Sequence, residues 1–310
     1  KALESLAQAS DGTVSSAPGV FASFFGPDPV NLLGVVILTS LGTWGLPQMV
    51  QKFYAIKSES AISKGMIIST AFAVIVAGGS YFLGGFGRLF ADKMDVVNGV
   101  PAGGYDAVVP TMLSGLPAIL IAVVVVLVLS ASMSTLSSLV LASSSTLTLD
   151  FIKGTVIRDM DEKKQVKMMR ALVVVFIAVS VVLALIQYKS NVTFIAQLMG
   201  VSWGALAGAF LAPFLYGLYW KRTTRAACAV SFLFSTVIMI ANIFVRASFP
   251  ALLQSPINCG AFCMLAGLVI VPAVSLFTKA PEDKSLARIF SCYDRKVTVS
   301  VKDSIGDKND

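Results

Sequence analysis

The chain has 310 residues, 56% of them hydrophobic and 13% charged, with a mean hydropathy of +0.81. A soluble domain carries about a quarter charged residues, and here the apolar excess falls in blocks as long as the roughly 20 residues that cross a bilayer as a helix. That excludes an ordinary soluble enzyme and predicts an all-α integral membrane protein. The formal net charge of +7 suits either nucleic acid or anionic lipid, but the cations lie in polar segments between apolar blocks, which is the membrane pattern and not a nucleic-acid footprint.

In chain order, residues 1–29 are polar, then apolar around Gly19–Phe25, and end in Gly26-Pro27-Asp28-Pro29. They read as an extracellular loop with a short interfacial helix. The first residue is Lys1 and not Met, which reads as truncation or processing. No basic segment precedes a short apolar core, so this is not a signal peptide. Seven spans follow within a transmembrane domain over 30–278, at roughly 30–50, 64–86, 114–146, 170–188, 192–219, 226–245 and 258–278. Residues 279–310 read as a partly disordered cytoplasmic tail.

The first span contains Thr39-Ser40-Leu41-Gly42-Thr43-Trp44-Gly45-Leu46-Pro47-Gln48. Two glycines and a proline within one span predict a broken helix. Secondary transporters bind substrate at such breaks near the bilayer midplane, where backbone groups are freed. Thr39, Thr43 and Pro47 fall four apart, on one face, and Trp44 offers an apolar wall. The competing reading is a proline kink with Trp44 packed against a neighbour.

The third span belongs to the longest charge-free stretch, Ala107 to Leu149, too long at about 1.5 Å per residue for a core of roughly 30 Å. Pro110 and Pro117 break its start, leaving a loop or short re-entrant piece before a long helix. Its centre reads Ser130-Ala131-Ser132-Met133-Ser134-Thr135-Leu136-Ser137-Ser138, followed by Ser143-Ser144-Ser145-Thr146. Hydroxyls are costly in hydrocarbon unless bonded. Either they bond back to carbonyls and let helices approach closely, or some hold a sodium ion, a hard cation served by neutral oxygens. Ser134 and Thr135 are adjacent, with Ala131 one turn before, so their oxygens can converge.

In the fifth span Gly200, Gly204 and Gly208 are four apart, a close-packing stripe. It ends in Trp220-Lys221-Arg222, an aromatic and cationic interface anchor. Gln197 and Trp203 are weaker candidates for lining a cavity. Cys259 and Cys263 share a helical face, but the sequence has no histidine and no carboxylates cluster there. They read as buried small residues and not as a metal site.

Of the 24 Lys and Arg residues, 19 fall in alternate segments (51–64, 153–170, 221–225 and the tail) and five on the other side. The positive-inside rule then puts the N-terminal segment outside and the C-terminus in the cytoplasm of a multi-pass cell-membrane protein. Apart from Lys64 and Arg170 at the very starts of two spans, no Asp, Glu, Lys, Arg or His falls inside a span, which argues against a proton relay. No Walker A, HExxH or GxSxG pattern occurs, so the chain does not read as an enzyme.

The stretch Ser130–Lys153, with Met-Ser-Thr-Leu-Ser-Ser at 133–138 and Ser-Ser-Thr-Leu-Thr-Leu-Asp-Phe-Ile-Lys at 144–153, resembles the sodium:solute symporter family. Gly42–Lys57 (GTWGLPQMVQKFYAIK) and Gly208–Arg225 (GAFLAPFLYGLYWKRTTR) are similar to two further family segments, in order. The resemblance covers roughly 30–278. It implies a fold of two inverted five-helix repeats of the leucine-transporter type. This chain would be the second repeat plus two extra C-terminal helices, and the first repeat would complete the sodium site and substrate pocket. The family's sodium positions match the Ala131 carbonyl and the Ser134 and Thr135 hydroxyls. Its substrate-facing segment matches Thr39, Thr43, Trp44 and Pro47, with Thr39 and Thr43 standing where the proline symporters carry aromatics. The function implied is sodium-coupled symport of a small organic solute, an amino acid such as proline or a carboxylate, with Na⁺ as coupling ion and the missing N-terminal helices as partner. The alternatives are a proton-coupled carrier of the same fold and a transporter-like membrane sensor.

Overall fold

The computed structural model describes residues 23–26, 28–50, 52–53, 56, 58, 60–94, 96–97, 100–101, 105–190, 195–281 and 283–294. Most of the segment read as an outer loop, and the tail beyond Asp294, lie outside the described residues. The described chain is helical apart from one antiparallel pair, β1 (Val96–Val97) and β2 (Val100–Pro101), with Val97 opposite Val100.

Helix α1 runs Pro29–Gly45. Asp28 precedes it and its Oδ1 accepts from the Asn31 amide at 3.0 Å, a side-chain cap with proline at the first helical position. The helix stops at Leu46, and a short α2 (Pro47–Val50) follows. Pro47 has no amide hydrogen, and its ring would meet the carbonyl four residues back, that of Thr43, in a continued helix. The span expected over 30–50 is therefore two helices.

Helix α3 spans Ser60–Gly85 and passes into a 3₁₀ segment, Phe86–Lys93. A short α4 (Val108–Leu113) precedes α5 (Ala118–Thr146), with Pro117 at the cap of α5. This is the interruption expected from Pro110 and Pro117, with Pro110 tolerated in the first turn of α4. Beyond Thr146 the chain continues as a π-helix, Leu147–Val156. Helix α6 covers Glu162–Ser190, so residues 162–169, expected as loop, are helical. Then come α7 (Ile195–Tyr219), α8 (Arg225–Phe244), α9 (Ala251–Gln254), α10 (Pro256–Phe277) and α11 (Asp283–Phe290), with a closing 3₁₀ turn, Ser291–Asp294.

Among the described residues six helical stretches are long and apolar enough to cross a membrane: Ala61–Gly85, Ala118–Val156, Glu162–Ile186, Gln197–Tyr219, Arg225–Phe244 and Pro256–Phe277. Helix α1 is a shorter apolar helix of 17 residues. Six of the seven expected spans thus correspond to such helices, and the first, divided at Leu46, does not reach spanning length in one piece.

The chain divides into two compact units, Lys1–Val36 with Gln48–Met199, and Ile37–Pro47 with Gly200–Asp310. In the first, α5 packs with α6 and the π-helix, and Val140, Ser144, Thr148 and Met160 are buried. In the second, α7, α8 and α10 meet through small residues. A Cβ on Gly204 would lie 2.6 Å from Gly260 Cα, one on Gly200 2.9 Å from the Ile257 nitrogen, and one on Gly208 2.6 Å from Ser235 Oγ. The glycine stripe thus meets backbone of α10 at Gly200 and Gly204 and small side chains at Gly208. Cys259 and Cys263 are fully buried in the same interface.

Helix ends in the second unit are tied by side chains. Thr224 caps α8 by accepting from the Ala227 amide, its own amide donates to Ser275 Oγ at 3.3 Å, and its hydroxyl pairs with that of Thr278 at 2.7 Å. The Asn242 side-chain amide donates to the Leu253 carbonyl at 2.7 Å. Residues 283–294 of the tail are ordered against this unit: Phe290 is buried, Tyr293 Oη donates to the Leu218 carbonyl at 2.9 Å, and Lys221 Nζ lies 5.6 Å from the Phe290 ring centre.

Candidate functional site

The break at Leu46 is held by close packing within its unit. A Cβ on Gly45 would meet the Cα and carbonyl oxygen of Ala207, both at 2.8 Å. Only glycine lets the end of α1 come so near the backbone of α7. Leu46 is buried and anchors the break point, as Leu38 does two turns earlier. A Cβ on Gly42 would meet the Trp203 ring and Met264 Cε, each at 3.3 Å. Trp203 therefore covers the glycine side of the segment that carries Thr39 and Thr43.

Of the residues expected to face substrate, Thr39 and Thr43 are half-buried and one turn apart on α1. The Thr43 hydroxyl donates to the Ser40 carbonyl at 3.1 Å. Trp44 is exposed and does not pack as a kink filler. Pro47 is exposed as the first residue of α2. Thr39, Thr43, Trp44 and Pro47 thus lie on the two sides of one break, with hydroxyls, an indole and a prolyl ring next to backbone groups that the break releases from helical bonding.

The residues expected to hold sodium lie in the other unit, on the uninterrupted α-helical part of α5. Ala131, Ser134 and Thr135 are all exposed. Helical geometry sets the Ala131 carbonyl and the side chains three and four residues on at the same surface. The neighbouring hydroxyls are spent on their own helix: Ser137 Oγ donates to the Met133 carbonyl at 2.7 Å, Ser138 Oγ to Thr135 at 2.8 Å and Ser144 Oγ to Leu141 at 3.0 Å. Among the described residues no such back-bond engages Ser134 or Thr135. So Ser137, Ser138 and Ser144 are satisfied by their own helix, while Ser134 and Thr135, like Ser130 and Ser132, are exposed without such a bond among the described residues. A hard cation takes about six oxygens, and one helix face supplies three, so the remainder must come from elsewhere.

The reading of Gly42 as part of a breaking signature missed its packing role under Trp203, which only the tertiary contact reveals. Gly45 was visible as a breaker, but its approach to Ala207 was not. The π-helix left no signal in apolar spacing. Among the described residues no group of three His, Cys, Asp or Glu side chains is placed to hold a metal ion.

The model of the sodium:solute symporter family matches residues 20–235. The chain is 28% identical over 223 residues to a sodium/proline symporter of Haemophilus influenzae, covering 70% of this chain and 42% of that protein. It is 26% identical over 289 residues to a sodium/glucose cotransporter of Vibrio parahaemolyticus, covering 87% and 52%. It is 28% identical over 209 residues to a monocarboxylic acid transporter of Corynebacterium glutamicum, covering 65% and 36%. The chain spans about half the length of the curated relatives it matches. No solved structure matches it.

Proposed function

The chain belongs to the sodium:solute symporter family, and from that premise we propose that the protein couples sodium entry to uptake of a small organic solute by alternating access. It is a multi-pass membrane protein of a transporter family, not an enzyme. The family match over residues 20–235 carries the reading, and the two residue groups supply its chemistry. Sodium, a co-transported ion, would take the Ala131 carbonyl and the Ser134 and Thr135 hydroxyls as three of its ligands. The solute would lie at the break between α1 and α2, against Thr39, Thr43, Trp44 and Pro47. Its class is an amino acid or a carboxylate, in keeping with the names of two relatives, while a third is named for glucose.

Coupling requires that sodium favour one conformational state over the other and that solute complete the closure. A neutral oxygen site suits this role, because an ion without a fixed counter-charge is released once the geometry loosens. In this reading the chain holds the second of two inverted repeats, with α8 and α10 as additional helices, and the cation-rich ends face the cytoplasm. Neither a proton-coupled carrier nor a sensor gains support from a specific observation: the acids within the spanning helices, Asp150 and Glu162, lie near helix ends and not at mid-span, where a relay is placed.

The test is uptake of radiolabelled amino acids and carboxylates by the full-length protein in proteoliposomes, under a sodium or a choline gradient. Wild type should require sodium. Thr135→Ala removes one oxygen from a charged partner, worth about 1.5–3 kcal/mol, so its apparent sodium affinity should weaken about tenfold or more. Uptake equal in both salts would end the sodium reading. A normal sodium response in the variant would remove the ion from this helix face.

A further inference from the structure

We infer that the turn between α7 and α8, together with the end of α10, forms a binding surface for the phosphate of an anionic phospholipid headgroup. Four exposed cations meet there: Lys221, Arg222, Arg225 and Lys279. The contacts that gather them are specific. The Thr224 hydroxyl is 2.7 Å from that of Thr278, so Arg225 and Lys279, each the next residue, flank one tie. Arg222 Nη2 donates to the Leu276 carbonyl at 3.2 Å, which lays the guanidinium over the last turn of α10 and leaves its other N–H groups for a ligand. Lys221 is held over the Phe290 ring.

The flanks are aromatic. The Trp220 ring lies 5.9 Å from that of Tyr216, and the Tyr219 ring 6.4 Å from that of Tyr293. Tyr219 and Tyr293 are both exposed. Amphipathic rings beside cations at the ends of spans are the composition of a membrane interface, and cation clusters at cytoplasmic span ends attract anionic headgroups. A guanidinium also matches phosphate geometry better than a point charge does. Free phosphate shares this chemistry, but the aromatic rim and the position at three helix ends favour a lipid. The inference rests on the orientation in the reading above, though not on sodium coupling.

The test uses full-length protein in neutral detergent, following its thermal unfolding midpoint as phosphatidylglycerol, phosphatidylcholine or inorganic phosphate is added. Phosphatidylglycerol should raise the midpoint, less so at high salt, and the other two should not. At about fivefold per cation, the triple variant K221Q/R225Q/K279Q should need at least tenfold more phosphatidylglycerol for the same rise. Should the triple variant not fold, K279Q alone should need threefold more. The variant K163Q/K164Q/K167Q, which removes three cations at the start of α6, should change the requirement less than twofold. Equal protection by phosphatidylcholine, full protection by inorganic phosphate, an unchanged response in K279Q, or an equal loss in the α6 variant would each overturn the assignment. Transport is not read, so failure here and failure of sodium coupling are separate results.

Discussion

Replacing Gly204 by alanine puts a number on the contact between α7 and α10. The added Cβ would sit 2.6 Å from Gly260 Cα, 2.9 Å from Met239 Cε and 3.0 Å from Met239 Sδ. The end of Met239 can swing away, whereas Gly260 Cα is main chain. Carbon atoms rest at about 3.5–4.0 Å, so the two helices must part by roughly 1 Å. The parting cannot stay local, because Gly260 in turn faces the Gly200 carbonyl, 3.0 Å from where its own Cβ would be. Overpacking of this kind costs about 1–3 kcal/mol, and the helical preference of alanine over glycine returns about 1 kcal/mol at most. Gly217, on the same helix, has nothing within 4 Å of an added Cβ, so Gly217→Ala collects the gain without the clash. The two variants should therefore differ by about 1–3 kcal/mol. The assay is unfolding of the full-length protein by sodium dodecyl sulfate in mixed micelles, comparing midpoints. A Gly204→Ala midpoint at or above that of Gly217→Ala would refute the backbone contact.

Three further outcomes follow from other contacts. Pro47→Ala lets an amide donate across the break, so solute uptake should fall at least tenfold while the unfolding midpoint holds or rises; uptake at wild-type level would show that the break is not needed. Tyr293→Phe removes the hydroxyl from the Leu218 carbonyl and should cost about 0.5–1.5 kcal/mol, seen as faster amide hydrogen exchange over residues 283–290 with the rest of the chain unchanged. Asn242→Leu leaves the Leu253 carbonyl without its donor but also deletes the buried, unbonded Asn242 Oδ1; the two effects oppose, and unfolding should show a net loss of about 1 kcal/mol.

Much of this was readable from residue order. Six of the seven expected spans are helices of spanning length among the described residues, because a bilayer-length run of apolar residues has no other way to satisfy its backbone, while the first is divided in two. Gly45 and Pro47 announced the break, and Pro117 the start of α5. The early start of α6 was not readable from hydropathy, since Glu162-Lys163-Lys164-Gln165 is polar, yet these are good helix formers and extend the helix beyond its apolar part. The short tail helix Asp283–Phe290 left no signal in apolar spacing, since the contacts beside it, Phe290 with Lys221 and Tyr293 with Leu218 and Tyr219, are far apart in the chain. For the candidate site, spacing found Ala131, Ser134 and Thr135 and left packing and ion binding both open. The back-bonds of Ser137 and Ser138 mark two hydroxyls as spent but do not set Ser134 and Thr135 apart from Ser130 and Ser132. Trp203 against Gly42, and Gly45 against Ala207, are matters of three-dimensional proximity that no local pattern encodes.

The π-helix from Leu147 to Val156 has a geometric consequence for everything that follows it. Rings closed over five residues turn the chain less per residue than rings closed over four, and across this stretch of 10 residues the deficit reaches roughly half a turn. Asp150 and Lys153, projected forward from α5 with ordinary helical periodicity, would be assigned to the wrong sides. A helical wheel drawn through the whole span is therefore correct up to Thr146 and rotates progressively out of phase beyond it. The winding of the chain, and not the identity of any one residue, decides which compass direction the far end of this span addresses.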